Sequence, residues 1–311
     1  MSNSNQTTAV ATQGQAVPQK QKPRFSVAIT SKGYQELIHN TLKDPARANR
    51  FIASITSAVA VNPALQACEA NTILAGALLG ESLNLSPSPQ LGQYYLVPFN
   101  CKAKVNPKTG EEIEPATVKA SFILGYKGYI QLALRSGQYK KLNVMEIKEG
   151  ELNGFDPLNE EIDVTLISDF NEREKAPTIG YYAMFEYTNG FRKAMYWAKE
   201  KMLGYADKYS AAFSKEAYQK ILDGKMPEKD MWKYSSFWYK EFDDMAKKTM
   251  LRQLISHWGI MSTELQQAFE SDNEVLNFEG NAITPQQEEE APIIDAAVVN
   301  TEAETIDMSQ L

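Results

Sequence analysis

Residues 118–144, VKASFILGYKGYIQLALRSGQYKKLNV, change their hydrophobic period twice, and this constrains the fold more than any other stretch of the chain. Val118, Ala120 and Phe122 alternate with Lys119 and Ser121, the two-residue period of a strand with one buried face. After Gly125 and Gly128, apolar side chains recur at Tyr129, Leu132 and Ala133, as on a short amphipathic helix. Gly137 ends that helix, since glycine enters the left-handed conformation at little cost. A second strand-like run follows from Tyr139 to Ile147. The unit is strand, tight turn, helix, strand.

The flanking sequence supplies partners for it. Tyr34, Leu37, Ile38 and Leu42 mark one helix, and Asp44-Pro45 caps a second that runs to about Ala60 and stops at Asn62-Pro63. Ala70 to Leu83 reads as a buried helix, with Gly76 and Gly80 allowing close packing. Gln93 to Phe99 reads as a strand that pairs with Val118 to Leu124 across a polar loop. Ile179 to Tyr187 and Phe191 to Trp197 form a hairpin through Thr188-Asn189-Gly190, and Ser235 to His257 forms the longest helix. The expected fold class is α+β, with antiparallel hairpins packed against a central helix and a long C-terminal helix. Residues 1–24 and 271–311 are expected to be disordered flanks, leaving 25–270 as the folded domain.

Charge is distributed by region. Between residues 119 and 148, Lys119, Lys127, Arg135, Lys140, Lys141 and Lys148 face Glu146 alone, a net of +5. Tyr126, Tyr129 and Tyr139 are interleaved with them. Cations that track phosphates beside rings that stack on bases form the pattern of a single-stranded nucleic-acid site. A solvated basic face with core tyrosines is the alternative reading of the same residues. Arg192, Lys193, Lys199, Lys201 and Lys208 continue the basic character among Tyr196, Trp197, Tyr205 and Tyr209. The overall charge of −7 does not oppose this reading. Residues 271–311 hold ten acids and no Lys or Arg, so residues 1–270 carry +3.

Other classes find less support. The 311 residues include two cysteines and two histidines, Cys68, Cys101, His39 and His257, without disulfide-framework or metal-ligand spacing. No apolar run reaches membrane-span length and no signal-peptide core is present, so a cytoplasmic protein with no membrane partner is expected. Residues 149–174 carry nine acids against Arg173 alone. A nuclease metal site can be drawn there, but scattered acids in turn-like sequence read as solvated loops. Glu241, Asp243 and Asp244 are expected to be solvated or paired with Lys240, Lys247 and Lys248.

Four blocks, in order, resemble the RecT family of phage and prophage single-strand DNA annealing proteins. They are Ala75 to Phe99, Phe122 to Gln138, Tyr196 to Ser210, and Phe237 to Trp258, within a likeness spanning roughly residues 30–260. Gly125 to Gly128 (GYKG) and Met245 to Thr249 (MAKKT) match family motifs, while Gly204-Tyr205-Ala206 departs from the usual pattern. The resemblance implies a non-enzymatic recombination protein that needs no ATP and no essential divalent ion. It further implies a partner strand of single-stranded DNA, an annealed duplex intermediate, and a homo-oligomeric ring or helical filament in a bacterial host cytosol. A companion exonuclease and the host's single-strand-binding protein are possible further partners, and the acidic tail is a candidate to bind them or to compete with DNA. A DNA role is carried by motif onto Lys127, Arg135, Lys247, Lys248 and Arg252. Charge pattern adds Lys119, Tyr126, Tyr129, Lys140, Lys141, Arg192, Lys199 and Lys208. A passive single-strand binder and a metal-dependent nuclease are the rival functions.

Overall fold

The structure is a computed structural model that describes residues 24–106, 109–110, 112–210, 212–279 and 282–285. The expected disordered flanks thus lie outside the described residues over 1–23 and 286–311. Four helices open the fold, α1 (Phe25–Ala28), α2 (Lys32–Leu42), α3 (Pro45–Val61) and α4 (Ala70–Ser82), with a 3-10 turn at Pro63–Ala67 between the last two. Asp44 caps α3 by accepting the Ala46 N–H at 2.8 Å, with Pro45 in the first turn. Ala48, Phe51, Ile55 and Val59 form its buried stripe. In α4 every residue from Thr72 to Gly80 is buried, which explains why this helix carries no charge before Glu81.

The helix α4 lies on a sheet. β1 (Tyr94–Cys101) leads through a small hairpin, β2 (Lys104–Val105) and β3 (Glu112–Glu114), to β4 (Thr117–Leu124). β1 and β4 pair antiparallel, Tyr94 opposite Leu124 and Cys101 opposite Thr117, as the sequence predicts. Tyr94 stacks on Phe122 at 5.1 Å and seats its ring on α4 at Gly80, where any Cβ would stand 2.4 Å from the ring.

The predicted central unit is completed by α5 (Tyr126–Arg135) and β5 (Tyr139–Lys148). A hairpin of β6 (Leu152–Asp156) and β7 (Glu161–Val164) follows, then α6 (Phe170–Lys175), β8 (Thr178–Tyr187) and β9 (Arg192–Ala198). β5, β8 and β9 form an antiparallel sheet in that order. Both of its faces are covered. Tyr181, Ala183, Phe185 and Tyr187 enter the main core, whereas Tyr182 and Met184 join Ile147 and Ala194 in a second cluster beneath Leu152, Ile162 and Val164. Burial on both faces accounts for the near-continuous apolar run of β8. The acidic stretch 149–174, expected as loop, therefore contains a hairpin and a helix. Its apolar residues are few because they need only cover the second cluster.

The chain continues as α7 (Lys199–Tyr209), α8 (Lys215–Leu222), a 3-10 turn (Glu228–Lys233), α9 (Phe237–Lys240) and α10 (Phe242–Trp258). The single long helix expected over 235–257 is broken at Glu241, where φ −134° and ψ 55° leave helical geometry. Apolar residues continue on either side of the break, so periodicity carries no sign of it. α10 packs between α5 and the β5-β8-β9 sheet and is buried at Phe242, Ala246, Lys248, Thr249, Met250, Leu251, Leu254 and Ile255.

Beyond α11 (Thr263–Glu270), the boundary expected at 271 does not hold. β10 (Glu274–Glu279) and β11 (Ala282–Pro285) extend the first sheet in the order β1-β4-β10-β11. The segment has too few apolar residues to fold alone. It is instead added to the free edge of β4, with Glu274 opposite Phe122, and buries Leu276 in the core.

Candidate nucleic-acid interface

The GYKG turn is shaped by close backbone approach. A Cβ on Gly125 would stand 2.1 Å from the Gly92 carbonyl oxygen, and one on Gly128 2.1 Å from that of Gln93. Both glycines are needed so that the start of α5 can lie against the loop before β1, and the Gly125 N–H donates to the Gln93 carbonyl at 2.9 Å. This docking turns Lys127 outward. Lys127 is exposed and has no carboxylate partner among the described residues.

Tyr126 is half-buried, with the Lys247 ammonium 4.8 Å above its ring and that of Lys127 at 5.8 Å. Lys247 itself is committed. It bonds Glu146 at 2.8 Å and Asp244 at 2.9 Å with only 13% of its side chain exposed. Burial alone would lower its pKa, but the two carboxylates outweigh this and hold it above the ordinary lysine value.

Three further candidates face inward. The Asp272 carboxylate, fully buried, accepts Lys248 at 2.9 Å, Arg252 at 2.7 Å, the Tyr129 hydroxyl at 2.9 Å and the Leu124 N–H at 2.9 Å. Lys248 is 4% exposed and Tyr129 is wholly buried against Phe269. Burial raises the Tyr129 pKa well above its ordinary value, and Asp272 adds to the rise. Lys248, Arg252 and Tyr129 therefore anchor the segment after α11 to α5 and α10. The three residues read from the sequence as groove residues are thus engaged at an internal anchor, with Arg252 alone keeping 16% of its side chain exposed.

Lys119, in β4, is also buried, at 7% exposure. Arg135 reaches back to accept a structural task, donating to the carbonyls of Leu83 and Asn84 at 2.8 Å each and closing the end of α4. Lys140 pairs with Glu186 at 2.5 Å and Lys141 lies 3.7 Å from the same carboxylate, so that strand pair is neutralised in part. Arg192 is exposed and donates to the Tyr182 hydroxyl at 3.3 Å.

The remaining cations singled out from the sequence sit on α7. Trp197 and Tyr205 lie 5.4 Å apart, and Tyr205 and Tyr209 4.6 Å, forming a short ladder of half-buried rings. Lys201 stands 4.2 Å over Trp197 and Lys208 4.9 Å over Tyr209, distances at which cation–π attraction holds the ammonium groups on the rings. Partial burial against Trp197 lowers the Lys201 pKa. Lys199 lies 5.8 Å from the Phe242 ring. Lys199, Lys201 and Lys208 have no carboxylate within ion-pair distance among the described residues.

The acids drawn as a possible metal site are separately employed. Glu151 is fully buried and accepts from Arg173 at 2.6 Å and from the Lys148 and Ile167 N–H groups. Glu160 pairs with Lys193. Asp243 accepts from Tyr181 at 2.5 Å and Thr178 at 3.1 Å instead of pairing with a lysine, while Asp244 pairs with Lys247 as expected. Among the described residues no group of three or more His, Cys, Asp or Glu is placed to hold a metal ion, and no helix is long and apolar enough to cross a membrane.

Sequence reasoning missed Asp272, which it assigned to the tail, and the neutral residues Gln90, Leu91 and Gln131 beside Lys127. Neutral loop residues carry no charge or period by which to be found.

A sequence model of the RecT family matches residues 49–294. YqaK of Bacillus subtilis (strain 168) is 37% identical over 228 residues, which is 73% of this chain but 65% of YqaK, just under two thirds of that relative's length. Protein RecT of Escherichia coli (strain K12) is 26% identical over 262 residues, 84% of this chain and 85% of that relative. The family match takes in the two larger sheets, the central helix α5, the ring ladder of β9 and α7 and the Asp272 anchor, and this chain belongs to the RecT family.

Proposed function

We propose that this protein is a single-strand DNA annealing protein of homologous recombination, which binds one strand in a basic groove, oligomerises and pairs it with its complement without ATP. Membership of the RecT family supports the class of activity. The observation that carries the site is the division among the cations. Lys247, Lys248 and Arg252 are matched to carboxylates on the inside, whereas Lys127, Lys199, Lys201 and Lys208 are left for an outside anion, two of them resting on the Trp197–Tyr205–Tyr209 ladder.

Annealing requires that the repulsion between two polyanions be reduced while base edges remain free. Lysines on phosphates do the first, and rings that stack on base faces leave the Watson–Crick edges open. An oligomer sets many nucleotides in one register. Companion partners of recombination, an exonuclease and a single-strand-binding protein, belong to the same proposal.

The test is pairing of two complementary labelled oligonucleotides by the purified protein without ATP, with and without EDTA, following pairing rate and strand length together. Accelerated pairing of intact strands in EDTA is the expected result. Binding without acceleration would indicate a passive single-strand binder, and shortening that EDTA prevents would indicate a nuclease.

A further inference from the structure

The loop 86–93 and the exposed side of α5 enclose an open cleft of about 290 Å³, lined by Gln90, Leu91, Gln93, Lys127, Ile130 and Gln131. It is a formed feature. Gln93 is tied at both ends of its residue, its side-chain oxygen accepting the Ser86 N–H at 2.7 Å and its backbone oxygen accepting the Gly125 N–H at 2.9 Å. The Leu91 N–H donates to the Ser88 carbonyl at 3.0 Å, and Pro87 and Pro89 fix φ at two more positions. The loop is therefore closed on itself and held against the helix before any ligand arrives.

The walls combine three chemistries. Leu91 is 50% exposed, an unusual state for a leucine on so constrained a loop, and Ile130 faces the same space. Gln90 and Gln131 bring side-chain amides that make no hydrogen bond to described residues. Lys127 brings a cation with no carboxylate partner among them. An apolar wall, amides that offer both donor and acceptor, and a cation beside them match a planar heterocycle with a polar edge, joined to a phosphate. The volume falls just below the ~300–1,000 Å³ of sites that enclose drug-sized ligands and leaves room for a planar ring system.

We propose that this cleft receives one unstacked nucleobase of the bound single strand, with Leu91 and Ile130 against its face, the Gln90 and Gln131 amides at its edge and Lys127 on the adjoining phosphate. Because an amide presents either its oxygen or its nitrogen, the cleft accepts any base. A base held by its edge is withheld from pairing. The complementary strand must win that base back, so the cleft opposes pairing at one position per subunit while the other bases stay open. The inference rests on the reading that this chain binds single-stranded DNA.

The experiment uses the full chain and two oligonucleotides of equal length, one carrying 2-aminopurine among ordinary bases and one in which every base is removed, so that only phosphate and sugar remain. Leu91→Ser and Gln131→Ala are compared with the unsubstituted protein, and thermal melting checks that each is folded. The expected result is a rise of 2-aminopurine emission on binding, and an approximately fivefold loss of affinity for the base-bearing strand in both variants with affinity for the abasic strand held within about twofold. Lys127→Ala is expected to weaken both strands alike. If the unsubstituted protein binds both strands but Leu91→Ser and Gln131→Ala change neither affinity, or change both equally, the cleft proposal is overturned and the DNA reading stands. If it binds neither strand, the DNA reading itself fails. If the variants alter only the size of the assembly by light scattering, the cleft is a contact between copies of the chain and the proposal is likewise overturned.

Discussion

The ammonium of Lys248 lies 2.9 Å from the Asp272 carboxylate inside the protein, with 4% and 0% of the two side chains exposed. A residue that sequence pattern places on a DNA-binding helix thus neutralises one that sequence pattern places in a flexible tail. Around the pair, Arg252, the Tyr129 hydroxyl and the Leu124 N–H donate to the same carboxylate.

Removing Asp272 leaves two cations without their anion. Asp272→Asn is expected to lower stability by about 3–5 kcal/mol, the usual cost of stranding a buried charge. Denaturant unfolding of the two proteins measures it. Replacing Asp272 and Lys248 together by apolar residues of similar volume should cost less than Asp272→Asn alone, and an additive loss would contradict the pairing.

Lys127→Ala and Lys248→Met should separate binding from stability. Lys127 is exposed and uncommitted, so its loss is expected to weaken single-strand binding for all sequences, to reduce the slope of log affinity against log salt by about 1, and to leave the melting temperature unchanged. Lys248→Met is expected to shift the melting temperature. Salt titrations beside melting curves decide between them.

Glu151 predicts a pH dependence. Burial alone would raise its pKa, but hydrogen bonds from Arg173, Lys148 and Ile167 outweigh this and hold it below 4.5. A carboxylate whose folded pKa is depressed stabilises the fold fully above its unfolded value and loses that contribution as pH falls through the folded one. Glu151→Gln is therefore expected to cost about 2 kcal/mol near neutral pH. The gap between its melting temperature and that of the unsubstituted protein should narrow steadily below about pH 4. A gap constant from pH 7 to pH 3 would rule out the charged pair as its source.

Two glycines should respond in opposite directions to alanine. At Gly128 the added carbon meets the Gln93 carbonyl oxygen at 2.1 Å, so about 1–3 kcal/mol of destabilisation is expected. At Gly204, within α7, the added carbon meets nothing within 4 Å, and better helix propensity should stabilise by about 0.5–1 kcal/mol. Melting of the two variants tests both signs.

Much of the framework was legible because period and punctuation are local. The strand, turn, helix and strand from 117 to 148, the Asp44-Pro45 cap and the β8–β9 hairpin all stand where alternation and turn residues put them. The site was less legible, since charge in a sequence has no direction. Lys127 and Lys248 look equivalent on paper, and only packing separates them: the docking of α5 on the loop before β1 turns the first outward, and the packing of α10 between a helix and a sheet turns the second in. The strands after residue 273 were invisible for a related reason: their stabilisation comes from the edge of β4, where Ser121 lies 153 positions before Glu274, and not from their own composition.

The same anchor has a consequence for synthesis of the chain. Leu124 and Asp272 are 148 residues apart, so at translation rates of about 5–20 residues per second β4 waits on the order of 10 s with one side of its backbone uncovered. An uncovered strand edge is a template for any other extended chain nearby. β10 arrives late and contributes only two residue pairs to β4, a pairing easily displaced by a competitor. The ionic knot at Asp272 makes the late arrival the winning one, and nascent chains lacking it are expected to associate edge to edge before they finish folding.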